Sequence, residues 1–435
     1  MILQIKTFLE KREQHIYSVV FAVSFILLLF KGPIVTDDTN SYLNAEISRF
    51  PGYVICINLF RFVFQSYFEY VLVAFQLILG FCAIRYALKT LGSVFNLNVG
   101  FKLALFVVLL SPYFQSIYVA NNLTSEGLAF PFYIVFICSS LQFIFHERKN
   151  LLWLVATSFI LLCLTRGQFI VCSLIIAFIY GLKHRKKILS KEKIMLLAVL
   201  LLLPLSVKLL DKTYRYLAYD QFVSTPYSYV NAVALPLFVS EKHDSDLFNN
   251  EDDKAIFKFA YARIDSLNLL SSKVKGQNMY TEPYFRYMRF HNDFPLICNQ
   301  NIHSGGVHYY IDKGFTPAES YIKTEQTSKN LMWPLIKSNF KEYATLYAVS
   351  IAYGIKSIPL LIIIIILGIW AFSKSIKEFT ALNGLVMLTV LLVVSNATIV
   401  AVACHSISRY LFYNDFMLLL AGLVLLHQLI MVTND

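Results

Sequence analysis

The stretch LLWLVATSFILLCLTRGQFIVCSLIIAFIY, residues 151–180, is apolar almost throughout and contains one charged side chain, Arg166. An α-helix needs roughly 20 residues to cross the hydrocarbon core of a bilayer, so the stretch is too long for a single span. Thr165-Arg166-Gly167 has the composition of a turn. The stretch therefore predicts two helices that form a hairpin in a membrane, with Arg166 at its tip.

Composition extends this prediction to the whole chain. Of its 435 residues, 57% are hydrophobic and 15% are charged, whereas soluble domains have about 45–50% apolar and about 25% charged residues. These values exclude a soluble enzyme and predict an all-α polytopic membrane protein with about ten transmembrane helices. The apolar runs lie near residues 16–32, 69–88, 103–119, 124–145, 151–164, 167–182, 194–210, 346–372, 379–399 and 410–431.

The connections between these runs differ in their basic residues. If the N-terminus is cytoplasmic, the inner connections hold fifteen Lys and Arg residues, whereas the outer connections outside 211–345 hold only Arg49, Arg61, Arg166 and Arg409. The positive-inside rule then predicts that both termini are cytoplasmic. The net charge of +11 is explained by this asymmetry, so no nucleic-acid partner is predicted.

Two outer segments are long, and they define the predicted domains. Residues 1–210 form an N-terminal transmembrane module whose first outer loop covers 33–68. Residues 211–345 form an extracytoplasmic loop domain, and residues 346–435 form the C-terminal transmembrane helices. Within the loop domain, Thr316-Pro317-Ala318-Glu319 combines a capping-box spacing with a proline at the first helical position, which predicts a helix start.

Ionisable residues next to the apolar runs are the candidates for function, because a charge at the centre of a membrane helix costs about 2.5–3.5 kcal/mol. Asp37 and Asp38 could belong to a solvated turn, and Glu126 could cap a helix through its dipole. Arg166 and Arg409 could anchor the chain at the lipid headgroups. Together, however, these residues supply a carboxylate that can accept a proton and cations that can hold a phosphate, as transfer of a sugar from a lipid phosphate requires.

Several short motifs then carry a resemblance to a known superfamily. They are Asp38-Thr39-Asn40-Ser41-Tyr42, Arg49-Phe50-Pro51-Gly52-Tyr53, Ser111-Pro112-Tyr113 with Leu123-Thr124-Ser125-Glu126, Leu164-Thr165-Arg166-Gly167, and Arg409-Tyr410-Leu411. In this order they resemble the GT-C glycosyltransferases that use polyprenyl-phosphate sugars, specifically bacterial relatives of protein mannosyltransferases and of the lipid A aminoarabinose transferase. The chain departs from the family pattern by lacking the His and second Pro of a His-Pro-Pro segment and by having Gly167 in place of Pro.

The resemblance implies an inverting enzyme of the bacterial inner membrane whose active site is extracytoplasmic. It would move a sugar from a polyprenyl-phosphate donor to a hydroxyl of a glycan or glycolipid such as O-antigen or lipopolysaccharide, in contact with membrane lipids. The chain length and the late outer loop also resemble phage-type O-antigen glucosyltransferases. By this resemblance Asp38 is the base, assisted by Asp37; Arg166 and Arg409 bind the donor phosphate; and the pocket contains Glu126, Tyr42, Arg49 and Tyr410.

Two other functions remain open from the sequence, a Wzy-type O-antigen polymerase and a lipid-linked sugar flippase or other transporter. No cofactor is expected, and His303 and His308 are interpreted as loop histidines since no Cys and only scattered acidic residues accompany them. Tyr214, Tyr216 and Tyr219 follow the seventh apolar run and could stack on a sugar.

Overall fold

The computed structural model describes residues 2–275, 278 and 281–434, and these residues are helical in nearly every segment. Seven helical segments are long and apolar enough to cross a membrane, so the chain is an α-helical membrane protein, as predicted. Within the described ranges, the one β interaction is an isolated bridge between Ile34 and Asn122.

The N-terminal part forms a helical bundle. Its elements are α1 (Ile2–Lys31), α2 (Asp37–Leu43), α3 (Pro51–Phe64), α4 (Phe68–Val94), α5 (Val99–Leu110), α6 (Glu126–Phe145), α7 (Leu152–Thr165), α8 (Cys172–Lys183) and α9 (Lys191–Tyr219). Helix α6 is the centre of this bundle: it packs against α4 and α7, and it is buried along most of its length.

Helices α7 and α8 come from the stretch that predicted a hairpin. Arg166, directly after α7, lies 2.5 Å from Glu126 at the first residue of α6. Lys183, the last residue of α8, lies 3.2 Å from Glu147, just beyond the other end of α6. The two helices therefore run in opposite directions along α6, and the chain reverses at Arg166.

Three of the ten apolar runs form helices of only 12–14 residues, namely α5, α7 and α8. At 1.5 Å per residue such a helix is about 18–21 Å long, which is shorter than the hydrocarbon core of roughly 30 Å. These three helices are therefore too short to span that core as straight rods.

Residues 211–345 fold into helices with an apolar core of their own. The elements are the end of α9, α10 (Ser228–Ala232), α11 (Ala234–Phe238), α12 (Glu251–Ser266), α13 (Glu282–Pro295), a π-helix (Leu296–His303), α14 (Ser304–Asp312), α15 (Pro317–Ser338) and the start of α16 (Phe340–Gly354). The predicted helix start at Thr316 is confirmed, because its hydroxyl accepts the main-chain N–H of Glu319 and the capping box is complete.

The chain ends with α17 (Ile358–Lys377), α18 (Ala381–Ala403) and α19 (Ser408–Asn434). The prediction of one helix over 346–372 is wrong, because α16 ends at Gly354 and α17 starts at Ile358. Lys356 has a positive φ of 77°, and the Ser357 side chain caps α17 ahead of Pro359, whose ring cannot continue a preceding helix.

The predicted domain limits also fall inside helices. Helix α9 continues past residue 210 to Tyr219, and α16 already starts at Phe340. A helix does not have to end where its apolar run ends, since its main-chain hydrogen bonds are internal and its polar residues continue into the loop domain.

The two ends of the bundle carry different charges. At one end, which we call the lysine end, Lys102 pairs with Glu13, Lys149 pairs with Glu192, and Lys183 and Lys193 face Glu147. The opposite end, where α6 begins, carries arginines and buried carboxylates. The loop domain packs at that second end, where the side chains of Val402 and Cys404 contact its apolar core.

Candidate active site

The first outer loop is tied to the segment that precedes α6. Main-chain bonds join Ile34 N to Asn121 O at 2.8 Å and Leu123 N to Ile34 O at 3.0 Å. The Thr39 hydroxyl in α2 donates to Leu123 O at 3.2 Å. These bonds bring Asp38, on the first turn of α2, next to Glu126, the first residue of α6.

Asp38 is held by two arginines from opposite parts of the chain. Arg49 Nη2 lies 2.6 Å from Asp38 Oδ1, and Arg409 Nη1 lies 2.5 Å from Asp38 Oδ2. Arg49 follows α2 in the same loop, whereas Arg409 lies on the first turn of α19. Each carboxylate oxygen therefore has its own guanidinium partner.

Glu126 is 1% exposed and contacts two arginines as well. Arg166 Nη1 lies 2.5 Å from Glu126 Oε1, and Arg409 Nε donates to the same oxygen. Arg409 therefore bridges Glu126 and Asp38. We call Asp38, Arg49, Glu126, Arg166 and Arg409 the charged network.

Two tyrosines lie against the guanidinium groups of this network. Arg49 is 4.9 Å from the centre of the Tyr42 ring, and Arg166 is 4.7 Å from the centre of the Tyr410 ring. Such cation–π contacts favour a fixed orientation of each guanidinium. Seven of the eight predicted site residues are thus linked in one assembly.

Asp37 is the predicted site residue that the structure does not bring into this assembly. Its side chain is exposed. Within the described part of the chain, no hydrogen bond or ion pair of Asp37 with a network residue occurs. Consecutive residues on a helix point about 100° apart, so Asp38 faces the arginines while Asp37 faces away.

The charge of the network favours an anion. Three guanidinium groups and two carboxylates leave one positive charge in excess, in surroundings that are largely removed from water. Burial of Asp38 would raise its pKa, but Arg49 and Arg409 outweigh this effect, so the pKa lies below the ordinary value. Asp38 is therefore ionised at neutral pH, which is the state that can accept a proton.

The structure adds a second buried arginine that the sequence reasoning missed. Arg215, in the part of α9 beyond the predicted span, is fully buried. It donates to the main-chain oxygen of Arg49 and to the Thr225 hydroxyl. Its Nη2 atom lies 3.7 Å from Oδ1 of Asp211, which is one helical turn earlier in α9. The spacing of Asp211 and Arg215 was the available signal, since residues four apart share a helix face.

The tyrosines that could stack on a sugar have other contacts. The Tyr214 and Tyr219 rings lie 5.0 and 5.8 Å from the Arg215 guanidinium, and the Tyr219 hydroxyl donates to Ala45 O. Tyr216 is exposed. Tyr214 and Tyr219 therefore support the first loop through Arg215 and are already packed against protein.

No group of three or more His, Cys, Asp or Glu side chains that could hold a metal ion occurs among the described residues. His308 is exposed on α14, whereas His303 lies 5.0 Å from the Tyr227 ring and 4.9 Å from the Tyr321 ring. Comparison of the chain with protein-family models, curated proteins and solved structures found no match.

Proposed function

We propose that this protein is a membrane-embedded inverting glycosyltransferase of the GT-C type. It moves a sugar from a polyprenyl-phosphate donor to a hydroxyl of a cell-envelope glycan or lipid such as O-antigen or lipopolysaccharide. One observation carries the proposal: two carboxylates and three arginines form the charged network at one end of an apolar helical bundle. Ionisable residues at membrane depth point to a functional site.

In the proposed reaction the acceptor hydroxyl oxygen attacks the anomeric carbon of the donor sugar. The bond between that carbon and the phosphate oxygen breaks, and its electron pair stays on the phosphate, so polyprenyl phosphate leaves. The hydroxyl proton passes to the Asp38 carboxylate. Because the phosphate leaves without being protonated, a single carboxylate base is sufficient.

The arginines have a matching role in this proposal. The donor phosphodiester carries one negative charge, and the departing monoester carries a second one as the bond breaks. Arg166 and Arg409 would face this growing charge, and a fixed guanidinium in a site without bulk water stabilises it strongly. Glu126 holds both arginines in place through its buried carboxylate.

The surroundings of the network suit a lipid-linked donor. Helix α3, which follows Arg49 closely, exposes an apolar face that includes Ile55, Leu59 and Phe62. Such a face contacts lipid rather than water. A donor whose polyprenyl chain lies in the bilayer could therefore reach the charged network with its phosphate.

The proposed orientation puts the lysine end in the cytoplasm and the charged network on the extracytoplasmic face of a bacterial inner membrane. Its support is the excess of Lys and Arg in the connections at the lysine end, since basic residues concentrate on the cytoplasmic side. Both termini would then be cytoplasmic, and the loop domain would be extracytoplasmic.

Mass spectrometry of the surface glycolipid, from host cells with and without the protein, tests this function. We expect the protein to add the mass of one sugar per acceptor unit. Arg409→Met should abolish the addition at equal protein level. Arg61→Met, which changes an exposed arginine in the last turn of α3, should preserve it. A change in glycan chain length instead would favour the polymerase, and no change in mass would reject the transferase.

A further inference from the structure

Three aromatic side chains of the loop domain lie beside the charged network. Tyr227 precedes α10, His303 ends the π-helix, and Tyr321 lies on α15. The imidazole of His303 packs edge-to-face against both tyrosine rings, with centres 5.0 and 4.9 Å apart. All three side chains are partly buried, so they remain within reach of a ligand. We call Tyr227, His303 and Tyr321 the aromatic cluster.

Arg49 connects this cluster to the candidate base. Its guanidinium binds Asp38, and its main-chain N–H donates to the carbonyl oxygen of Glu46 at 2.9 Å. The Glu46 side chain in turn lies against the Tyr321 hydroxyl. Burial and, to a smaller extent, Arg49 lower the pKa of His303 to about 4. His303 is therefore neutral at pH 7, with one ring nitrogen as a donor and the other as an acceptor.

The π-helix that presents His303 is an unusual element. It covers eight residues, Leu296–His303, whereas π-helices are rare and appear mostly as single turns, frequently at functional sites. Its Asn299 side chain accepts a hydrogen bond of 3.0 Å from the Tyr227 hydroxyl. The element therefore fixes two members of the aromatic cluster relative to each other.

His303 also has an unused polar atom. Its Nδ1 is buried and has no hydrogen-bond partner among the residues that the structure describes. Buried polar atoms in native proteins are nearly always paired, so an unpaired one requires an explanation. Nδ1 itself is closed to a ligand, so a ligand hydroxyl would bind the other ring nitrogen, Nε2, of the partly exposed imidazole.

Stereochemistry indicates which substrate would lie there. In an inverting transfer the acceptor oxygen attacks the face of the sugar opposite to the leaving phosphate. Asp38 has Arg409 on one carboxylate oxygen and Arg49 on the other. If the phosphate lies at Arg409 and Arg166, the acceptor approaches from the side of Arg49, where the aromatic cluster lies.

We propose that Tyr227, His303 and Tyr321 form the acceptor subsite and bind one pyranose ring of the acceptor glycan. This inference rests on the proposed function. The tyrosine rings pack against the C–H face of the sugar, and His303 forms a hydrogen bond with one of its hydroxyl groups. Such a site combines aromatic surface with a few placed polar groups, as sugar and small-molecule sites generally do.

Transfer kinetics test this subsite. The acceptor is glycolipid extracted from host cells that lack the protein, added at increasing concentration to membranes that carry the protein and polyprenyl-phosphate sugar. We expect His303→Ala and Tyr321→Ala each to raise the half-saturating acceptor concentration about tenfold, the loss of one good contact. The rate at saturation should stay within about twofold of wild type. His308→Ala, the exposed histidine on α14, is the matched control and should change neither value.

A second measurement does not depend on turnover. Diethyl pyrocarbonate modifies neutral histidines, and the same glycolipid should slow modification of His303 while leaving that of His308 unchanged. The subsite is rejected if His303→Ala and Tyr321→Ala both keep the wild-type half-saturating acceptor concentration. It is also rejected if His303 is modified at the same rate with and without glycolipid. If wild-type protein transfers no sugar but His303 is still protected, the transferase is rejected and the glycan subsite stands.

Discussion

The two carboxylates of the charged network differ in their surroundings and therefore in their chemistry. Glu126 is almost fully buried and is occupied by Arg166 and Arg409, whereas the Asp38 side chain is 28% exposed between Arg49 and Arg409. A group that takes a proton from a substrate must be reachable by that substrate. Asp38 therefore fits the role of base, and Glu126 fits the role of holding the arginines.

Replacing Asp38 by Asn keeps its shape and removes its basicity. General-base catalysis is typically worth about 10²–10⁴-fold, so Asp38→Asn should lower the transfer rate by at least roughly 100-fold. Asp37→Asn is the matched control and should change the rate little, because Asp37 is exposed and faces away from the arginines. Transfer assays on membranes with equal protein levels measure both variants, and a larger loss for Asp37→Asn would assign the base to the neighbouring residue.

The pKa of Asp38 leads to a prediction about pH. Because Arg49 and Arg409 hold this pKa below its ordinary value of 3.8, the wild-type rate should not fall through protonation of Asp38 between pH 7 and about pH 5. Arg49→Gln removes one of the two cations while Asp38 stays buried, so the pKa of Asp38 should rise. The pH at which the transfer rate falls on acidification should therefore increase by about 1–3 units. Arg49→Lys should keep this pH near the wild-type value, and identical pH profiles for all three proteins would contradict the assignment.

Among the elements, the extension of α9 connects the bundle to the loop that carries Asp38. Asp211 accepts hydrogen bonds from the main chain and hydroxyl of Thr225 at 2.8 Å each, and Arg215 donates to Thr225 and to Arg49 O. These contacts are buried, so water does not compete for them. Through them α9 determines where the main chain of Arg49 lies relative to Asp38.

Arg215→Met should therefore affect both stability and transfer. Removing one partner of a buried ion pair costs about 3–5 kcal/mol, because the other charge is left without compensation. The double variant Asp211→Asn with Arg215→Met should regain part of the lost thermal stability in detergent. Transfer should stay low in the double variant because Arg49 O still lacks its donor.

The exposed Tyr216→Met, one residue further along α9, serves as the control and should leave stability and transfer unchanged. If the double variant recovers transfer together with stability, Arg215 has no role in positioning the first loop.

The contact between the first loop and the turn after α7 requires glycine at two positions. A Cβ atom on Gly167 would lie 2.3 Å from the ring of Phe50, and a Cβ atom on Gly52 would lie 2.9 Å from the main-chain oxygen of Leu164. Proline at either position would collide with these neighbours. Glycine therefore lets the loop containing Arg49 lie against the turn containing Arg166.

At the scale of the whole molecule, the charged network lies where two apolar cores meet. One core belongs to the helical bundle, and the other is formed by buried residues of the loop domain from Val230 to Ile336, together with Leu346 of α16. Arg409 and Glu126 come from helices of the bundle, and the aromatic cluster comes from the loop domain. In the proposed reaction, the lipid-linked donor would reach this site from the bundle and the glycan would reach it from the loop domain.

The orientation of the whole molecule is tested with single cysteines. Ser272→Cys, an exposed position in the loop domain, should react with a membrane-impermeant maleimide in spheroplasts. Ser190→Cys, an exposed position at the lysine end, should react only after the membrane is opened. The protein without added cysteine provides the background. Labelling of Ser190→Cys but not of Ser272→Cys in spheroplasts would invert the proposed topology.

Elements that depend on local composition could be predicted from the sequence. Long apolar runs predict α1, α6, α18 and α19 because a bilayer requires internally bonded apolar helices. The capping box at Thr316 predicts the start of α15 because its hydrogen bonds join residues three apart. The break between α16 and α17 could have been predicted from Ser357 and Pro359, but the surrounding apolar residues obscured it.

The charged residues at the ends of the apolar runs were likewise apparent from the sequence alone, since an ionisable residue beside a membrane span is unusual wherever it occurs. Their pairing was decided by the tertiary structure. Asp38, Glu126, Arg166 and Arg409 are far apart in the chain and meet only because α2, α6, α7 and α19 come together at one end of the bundle. The aromatic cluster depends on packing in the same way: its members lie in a polar segment without periodic apolar runs, so no local pattern marks them. Local sequence determines which segments become helices, whereas contacts between distant segments determine which side chains face each other.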